Sequence, residues 1–379
     1  MLTTIASNCW TATLDALHTR IAPRFARAEA RMRVRRYLDG LLAPVERKNG
    51  WQMAEHLGEA GPQGVQRLLN AADWDAAAVR DDLTAFVAEH LGDPEGVLIM
   101  DETGFLKKGT KSVGVARQYS GTAGRRENQQ IGVFLAYAAP RGAVLLDRAL
   151  YLPEAWASDA GRRAEAGVPE AVRFATKGEL AQRMLARAFA TGIPAAWVAG
   201  DTIYGSDELR RWLEGQGRHY ILAVPCTHGL WTAGRQVKAQ ALADGVPDAA
   251  WARLSAGDGS QGPRWYDWAC LALPYATRPG TAQWLLVRRS VGDPTERAYY
   301  RVYGPADTTV DALARVAGRR WCIETAFEDA KGLVGLDQYE VRKWEAWHRH
   351  VTLSLLAYAA LVVARTGATA GEEKGAAAC

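Results

Sequence analysis

Val97-Leu98-Ile99-Met100-Asp101-Glu102-Thr103-Gly104 and Trp197-Val198-Ala199-Gly200-Asp201-Thr202-Ile203-Tyr204-Gly205 decide how this chain is read. Each is a short apolar run ending in aspartate, with Thr and Gly following within four residues. Short apolar runs bounded by turn residues predict buried strands. A carboxylate on the last residue then stands at the carboxyl edge of a sheet, where α/β proteins hold their ligands. Aspartate is a common turn residue, so either run alone says little. Two such runs say more, because converging carboxylates repel and persist mainly where cations sit between them. The pair points to magnesium, a hard ion that prefers oxygen ligands.

A third acidic residue lies in Arg319-Arg320-Trp321-Cys322-Ile323-Glu324. Positions three, four and seven apart share one helix face, so Arg320, Glu324, Glu328 and Lys331 form a charged stripe. Trp321, Ile323, Ala326, Phe327 and Ala330 fall mostly on the other side. Two readings are open for the stripe: a solvated face laced with ion pairs, or a functional face beside the two aspartates.

Taken together these blocks resemble the DDE transposases of bacterial insertion sequences, in the branch with a Tyr-x2-Arg-x3-Glu-x6-Lys signature. Arg320, Glu324 and Lys331 match that spacing, while the tyrosine position holds Ala317. The stretches Met100 to Phe105, Ser112 to Tyr119 and Ala199 to Gly205 look like the family's first and second acidic blocks, and the likeness covers roughly residues 30 to 350. It implies a ribonuclease-H-like α/β core with Asp101, Asp201 and Glu324 as catalytic metal ligands. Two Mg2+ ions, with Mn2+ as a substitute, would activate water and stabilise the leaving oxygen. Glu328 competes with Glu324 for the helical position, and Glu102, on the opposite strand face from Asp101, reads as a supporting residue. Arg320 and Lys331 would hold phosphates. Lys107, Lys108 and Lys111 are close enough to Asp101 in sequence to touch DNA, and a solvated loop accounts for them as well. The branch holds a flipped base with an aromatic residue, for which Trp265, Trp268 and Trp284 compete with ordinary core packing.

The 379 residues, 48% apolar, suffice for two or three folding units. A net charge of +4 is too small to indicate nucleic acid by itself. Between Arg20 and Lys48, however, nine basic residues face three acidic ones, a bias suited to phosphate contacts or to an exposed basic helix. The five cysteines, at 9, 226, 270, 322 and 379, lack zinc or disulfide spacing and fit a reduced cytosol. No signal peptide is apparent. The apolar run from Leu353 to Ala364 is too short for a bilayer of about 30 Å and reads as a buried helix.

Residues 1–92 read as an all-helical DNA-binding domain. Trp51 to Leu57 and Pro62 to Asn70 suit either a helix-turn-helix or a plain bundle; in the former Gln63, Gln66 and Arg67 would meet DNA. Residues 97–101, 112–119 and 130–138 are predicted as three successive strands, with 144–151 extending the sheet. Helix 177–190, strand 196–201, helix 206–216 and strand 219–224 follow. The core comprises 93–225 and 304–350, interrupted at 226–303 by a β-rich insertion with strands at 264–273, 283–290 and 297–303. Residues 351–379 are predicted as a C-terminal helix and a disordered tail from Gly367. His348 and His350, with Arg342, Lys343 and Arg349, suit DNA backbone contact or an exposed helix. The expected protein is a metal-dependent DNA endonuclease and strand transferase acting on the double-stranded terminal repeats of its own element. It would assemble as a homodimer on DNA, without a membrane. The alternatives are a non-catalytic DNA-binding regulator and a nuclease that cuts without joining.

Overall fold

The computed structural model describes residues 2–120, 124–259, 262–275 and 277–376. Five helices come first: α1 (Leu2–Ile21), α2 (Ala28–Leu42), α3 (Gly50–His56), α4 (Gln63–Asn70) and α5 (Ala76–Leu91). Asn49 caps α3 and Asp75 caps α5 through their side-chain oxygens, each satisfying amides that a helix start leaves unpaired. The two short helices expected around a glycine turn are α3 and α4, and Gln63, Gln66 and Arg67 lie exposed on α4.

The sheet begins with β1 (Val97–Leu106), β2 (Ala116–Ser120), β3 (Arg125–Ala139) and β4 (Gly142–Tyr151). Helices α6 (Glu154–Ala157), α7 (Ala160–Ala166) and α8 (Lys177–Ala190) lead to β5 (Trp197–Gly200), α9 (Asp207–Gly215) and β6 (His219–Val224). Strands run in the order β4, β3, β1, β5, β6; β1, β3 and β4 are antiparallel in sequence, and β5 and β6 lie parallel to β1. Val97, Leu98, Ile99 and Met100 are wholly buried, as expected of a central strand covered on both faces.

Two strand expectations need correction. β1 does not stop at Asp101 but runs on to Leu106, because β3 pairs with it as far as Leu106↔Gln129. The second long strand is β3 and the third is β4, whereas the segment predicted at 112–119 contributes only the short β2, paired with the first residues of β3. Gly114, at φ 73°, turns the chain just before it.

Next come β7 (Gly229–Thr232), β8 (Arg235–Lys238), α10 (Ala239–Asp244), β9 (Ala252–Gly259), β10 (Gly262–Ala272), β11 (Thr281–Ser290) and β12 (Arg297–Pro305). Only β7 and β8 form a sheet of their own; β12 pairs antiparallel with β6, and β11, β10 and β9 extend the central sheet outward. The stretch expected as an insertion thus continues the sheet and covers the edge that β6 would otherwise expose.

Helices α11 (Val310–Arg319), α12 (Trp321–Val334) and α13 (Trp344–Ala376) complete the chain. α11 lies so close on β9 that a Cβ at Gly318 would come within 1.8 Å of the Ala256 carbonyl oxygen. α13 packs on β4 and α12 and also on α1, α2, α4 and α5. Leu353, Leu355, Leu356, Ala357 and Ala359 are fully buried, so this helix is apolar all round because it is enclosed all round. The helix is longer than the run Leu353 to Ala364 read from sequence, and its segment Trp344–Gly367 is long and apolar enough to span a bilayer, but 78% of its most apolar 18-residue window is buried within the fold, as expected of a buried helix. The helix also runs to Ala376, through most of the tail predicted as disordered, and residues 377–379 lie outside the described chain.

The helical layer and the sheet share one hydrophobic cluster, reaching from Leu14 to Val363. The boundary near residue 92 marks a change of secondary structure within a common core. The basic stretch in this layer is largely spent inside the fold. Arg20 pairs with Glu89, Arg24 with Asp82, Arg33 with Glu59 and Arg35 with Asp15, acids the local charge count leaves out. His350 and Arg349 are likewise interior: Tyr37 bonds His350 Nδ1 at 2.8 Å, and Arg349 donates to the carbonyls of Leu69 and Trp74. The expected DNA contacts on this turn of α13 are closed off by α2 and α4.

Candidate active site

β1 and β5 bring the two aspartates together. Their parallel register ends at Met100↔Gly200, so Asp101 and Asp201 are the next residues on neighbouring strands, about 5 Å apart by strand spacing. Asp101 Oδ1 accepts from the Glu102 amide at 2.8 Å, and Asp201 Oδ1 from the Ile203 amide at 2.9 Å. Burial raises the Asp101 carboxyl to about 7; Arg320 opposes the rise and Asp201 adds to it. Burial also raises Asp201, against the Ile203 amide, with Glu102 contributing.

Glu324 arrives from the first turn of α12, just after Arg320 joins α11 to α12 in helical geometry. The Arg320 guanidinium bridges the carboxylates: Nη1 is 3.4 Å from Asp101 Oδ2, and Nη2 donates to Glu324 Oε1. Glu328, one turn on, is exposed, while Ile323, Ala326, Phe327 and Ala330 are buried as the helical phase required. Trp321, expected on the packed side, is 48% exposed, with the Arg264 guanidinium 5.6 Å from its ring.

Glu102 points away from Asp101, accepting from Lys177 Nζ at 2.6 Å and Tyr204 hydroxyl at 2.7 Å. Tyr204 lies in the second acidic block, so sequence could have flagged it. Lys177 could not be found that way, since 75 residues separate it from Glu102.

The remaining residues named from sequence divide by exposure. Lys331 donates to Thr103 Oγ1 at 2.7 Å, and burial lowers its ammonium. Lys107 donates to the Tyr339 carbonyl at 3.2 Å and sits over the Tyr339 ring, and burial brings it down to about 8. Both are engaged with the protein, whereas Lys108 and Arg67 are exposed and Lys111 pairs with Glu165. Trp268 is closed to any base, being 1% exposed and stacked on Tyr300. Trp284 is also buried, leaving Trp265, at 54% exposure, as the accessible member of the three.

Residues 20–256 match the DDE superfamily endonuclease family, and residues 163–360 the transposase DDE domain family. Each match spans more than half of the chain. The chain belongs to the DDE superfamily endonucleases. A 204-residue stretch is 27% identical to a protein of Microchaete diplosiphon described as a probable transposase for insertion sequence element IS701. That stretch covers 52% of this chain and 50% of the relative, so the chain spans about half the length of the curated relative it matches.

Membership of this family implies a divalent metal. Among the described residues no three acidic, histidine or cysteine side chains converge on a common point, since Glu324 is turned to Arg320. The donor chemistry nonetheless suits a hard cation: burial raises both carboxylates at the end of the parallel strand pair, Asp101 to about 7, and the charge between Asp101 and Glu324 is a guanidinium. Asp101 and Asp201 fit the group as they stand. Glu324 is occupied by Arg320 in this structure.

Proposed function

We propose that this protein is a transposase that cuts and joins double-stranded DNA at the terminal inverted repeats of its own insertion element, using Asp101, Asp201 and Glu324. The reading rests chiefly on the Met100↔Gly200 register, which brings two aspartates from distant sequence side by side at the end of a parallel strand pair. The strand order β4, β3, β1, β5, β6, with three antiparallel strands followed by two parallel ones, agrees with a ribonuclease-H-like core. Two Mg2+ ions, when bound, would supply an activated water and neutralise the leaving oxygen. Asp101, Asp201 and Glu324 are the carboxylates that would hold them. Arg320, drawn from its carboxylates to the phosphodiester, would hold a non-bridging oxygen and free Glu324 in the same movement. Glu102, tied to Lys177 and Tyr204, would hold β1 against the start of α8 and the turn after β5. Lys108, Arg67 and Trp265 are the exposed residues available for DNA, and a homodimer would join two element ends in the cytosol.

The test is incubation of the purified protein with DNA bearing the repeats that flank its gene, in magnesium, in EDTA, and with Asp201→Ala. Metal-dependent cuts at the repeat ends, absent in the variant, and joined products with target DNA are expected. Tight binding without cutting in any metal would overturn the reading in favour of a DNA-binding regulator, and cutting without joined products in favour of a simple nuclease.

A further inference from the structure

A cavity of about 600 Å3 opens at the β4 edge of the sheet, away from the carboxylates. Phe134 of β3 stands between Asp101 and Arg148 in the strand register, so the cavity's Arg148 is two strands from Asp101, roughly 10 Å by strand spacing. The volume is in the range of small-molecule sites.

Its walls are cationic for reasons that can be traced residue by residue. Five arginines, Arg80, Arg148, Arg173, Arg183 and Arg187, line it against two carboxylates, Asp75 and Glu345. Asp75 is engaged in capping α5. Behind these walls the carboxylate of Asp147 is shared by Arg148 and Arg187, with Arg80 a further 3.7 Å contact whose closer partner is Asp81 at 2.6 Å. Arg183, on the same face of α8 as Arg187, is exposed; Glu179, one turn earlier, is the acid that interacts with it, and that carboxylate is already engaged in capping α8 at Thr176. The first residues of α5 and α13 also line the space, so the positive ends of two long helices border it.

The second observation is an orphaned donor. Arg148 is 4% exposed, and its Nε is buried without a hydrogen-bond partner while its Nη2 donates to the Ala76 carbonyl at 3.0 Å. A buried guanidinium N–H normally has an acceptor; this one lies behind the cavity wall, where it adds positive charge beneath the space without reaching into it. Burial, with Arg80 and Arg187 nearby, lowers Arg148 to about 10 despite Asp147, the response of a cation lacking enough negative charge around it.

We propose that this cavity binds a phosphate-bearing ligand of nucleotide size, its phosphate held by the accessible Arg183 and Arg187 and its base against Trp344 and His348. Guanidinium forks suit phosphate oxygens. The site does not depend on the carboxylates or on a metal. The phosphate has two possible sources, a free nucleotide or the 5′ end of a DNA strand.

The test is isothermal titration calorimetry of the full chain in EDTA and phosphate-free buffer. Four probes are compared: inorganic phosphate, deoxyadenosine monophosphate, and a short single-stranded DNA with either a 5′-phosphate or a 5′-hydroxyl. Saturable binding of the monophosphate, tighter than inorganic phosphate, is expected. Arg183→Glu should weaken it at least tenfold and Arg173→Ala severalfold, both at unchanged melting temperature, while Asp201→Ala binds as wild type. A preference for 5′-phosphorylated over 5′-hydroxyl DNA that Arg183→Glu removes would assign the phosphate to a strand end; binding of the monophosphate alone would assign it to a free nucleotide. Absence of saturable binding by every probe at millimolar concentration, or binding untouched by Arg183→Glu, would overturn the proposal.

Discussion

Replacing Asp101 with Asn should stabilise the metal-free protein, and increasingly so as pH rises from about 4 to 7. The carboxyl rises from 3.8 to about 7, principally through burial. A group whose acid form is favoured by folding binds more protons in the folded state between those values. Stability therefore falls as pH rises from about 4 to 7 and stays low above. At 1.36 kcal/mol per pH unit, the penalty reaches about 4 kcal/mol by pH 8 and is only about 1.5 kcal/mol at pH 5. The side chain is 15% exposed, so little of this is screened. Asn keeps the acceptor that meets the Glu102 amide and has no charge to bury. With about 2 cal/mol/K of unfolding entropy per residue, 4 kcal/mol corresponds to roughly 5 °C for a chain of this length. Calorimetric melts of both proteins in EDTA at pH 5 and pH 8 provide the assay. The variant should gain about 3 kcal/mol over wild type between the two conditions, and millimolar magnesium at pH 8 should stabilise wild type alone. An advantage that is absent, or the same at both pH values, would refute the account of a buried carboxylate awaiting a cation.

Gly318→Ala should cost more than about 3 kcal/mol in urea unfolding, since its Cβ would overlap the Ala256 carbonyl oxygen on β9 and neither backbone can yield cheaply. Burial brings His350 down to about 4, so its contribution is complete above pH 6.5 and lost as pH falls towards 4; because Asp101 acts in the opposite sense over the same window, the measure is wild type minus His350→Gln, whose difference in urea unfolding free energy should fall by up to about 3 kcal/mol between pH 6.5 and 4. Trp268→Ala should destabilise the fold by about 3 kcal/mol or more, whereas Trp265→Ala should leave the urea midpoint within about 0.5 kcal/mol and act, if at all, on DNA binding measured by fluorescence anisotropy.

Local pattern determined a good deal by itself. The apolar runs ending at Met100 and Gly200 declared buried strands, because four consecutive apolar residues need cover on both faces. Helical phase separated Glu324 from Ile323, Ala326 and Phe327, because period alone assigns a face. The strands β10, β11 and β12 and the paired short helices α3 and α4 were legible for similar reasons. Tertiary structure decided what depends on partners distant in sequence. Only the β1 to β5 register makes Asp101 and Asp201 neighbours, and only the β1 to β3 pairing carries β1 past Asp101. The basic run from Arg20 to Lys48 looked available for phosphate until the fold brought Asp82 and Glu89 to it, and α13 looked partly exposed until helices and sheet closed over both its sides. Arg148 offered no signal in sequence at all. Its buried, unpartnered Nε arises from the meeting of β4, α5 and α8, and burial is a property of the assembled chain rather than of any segment within it.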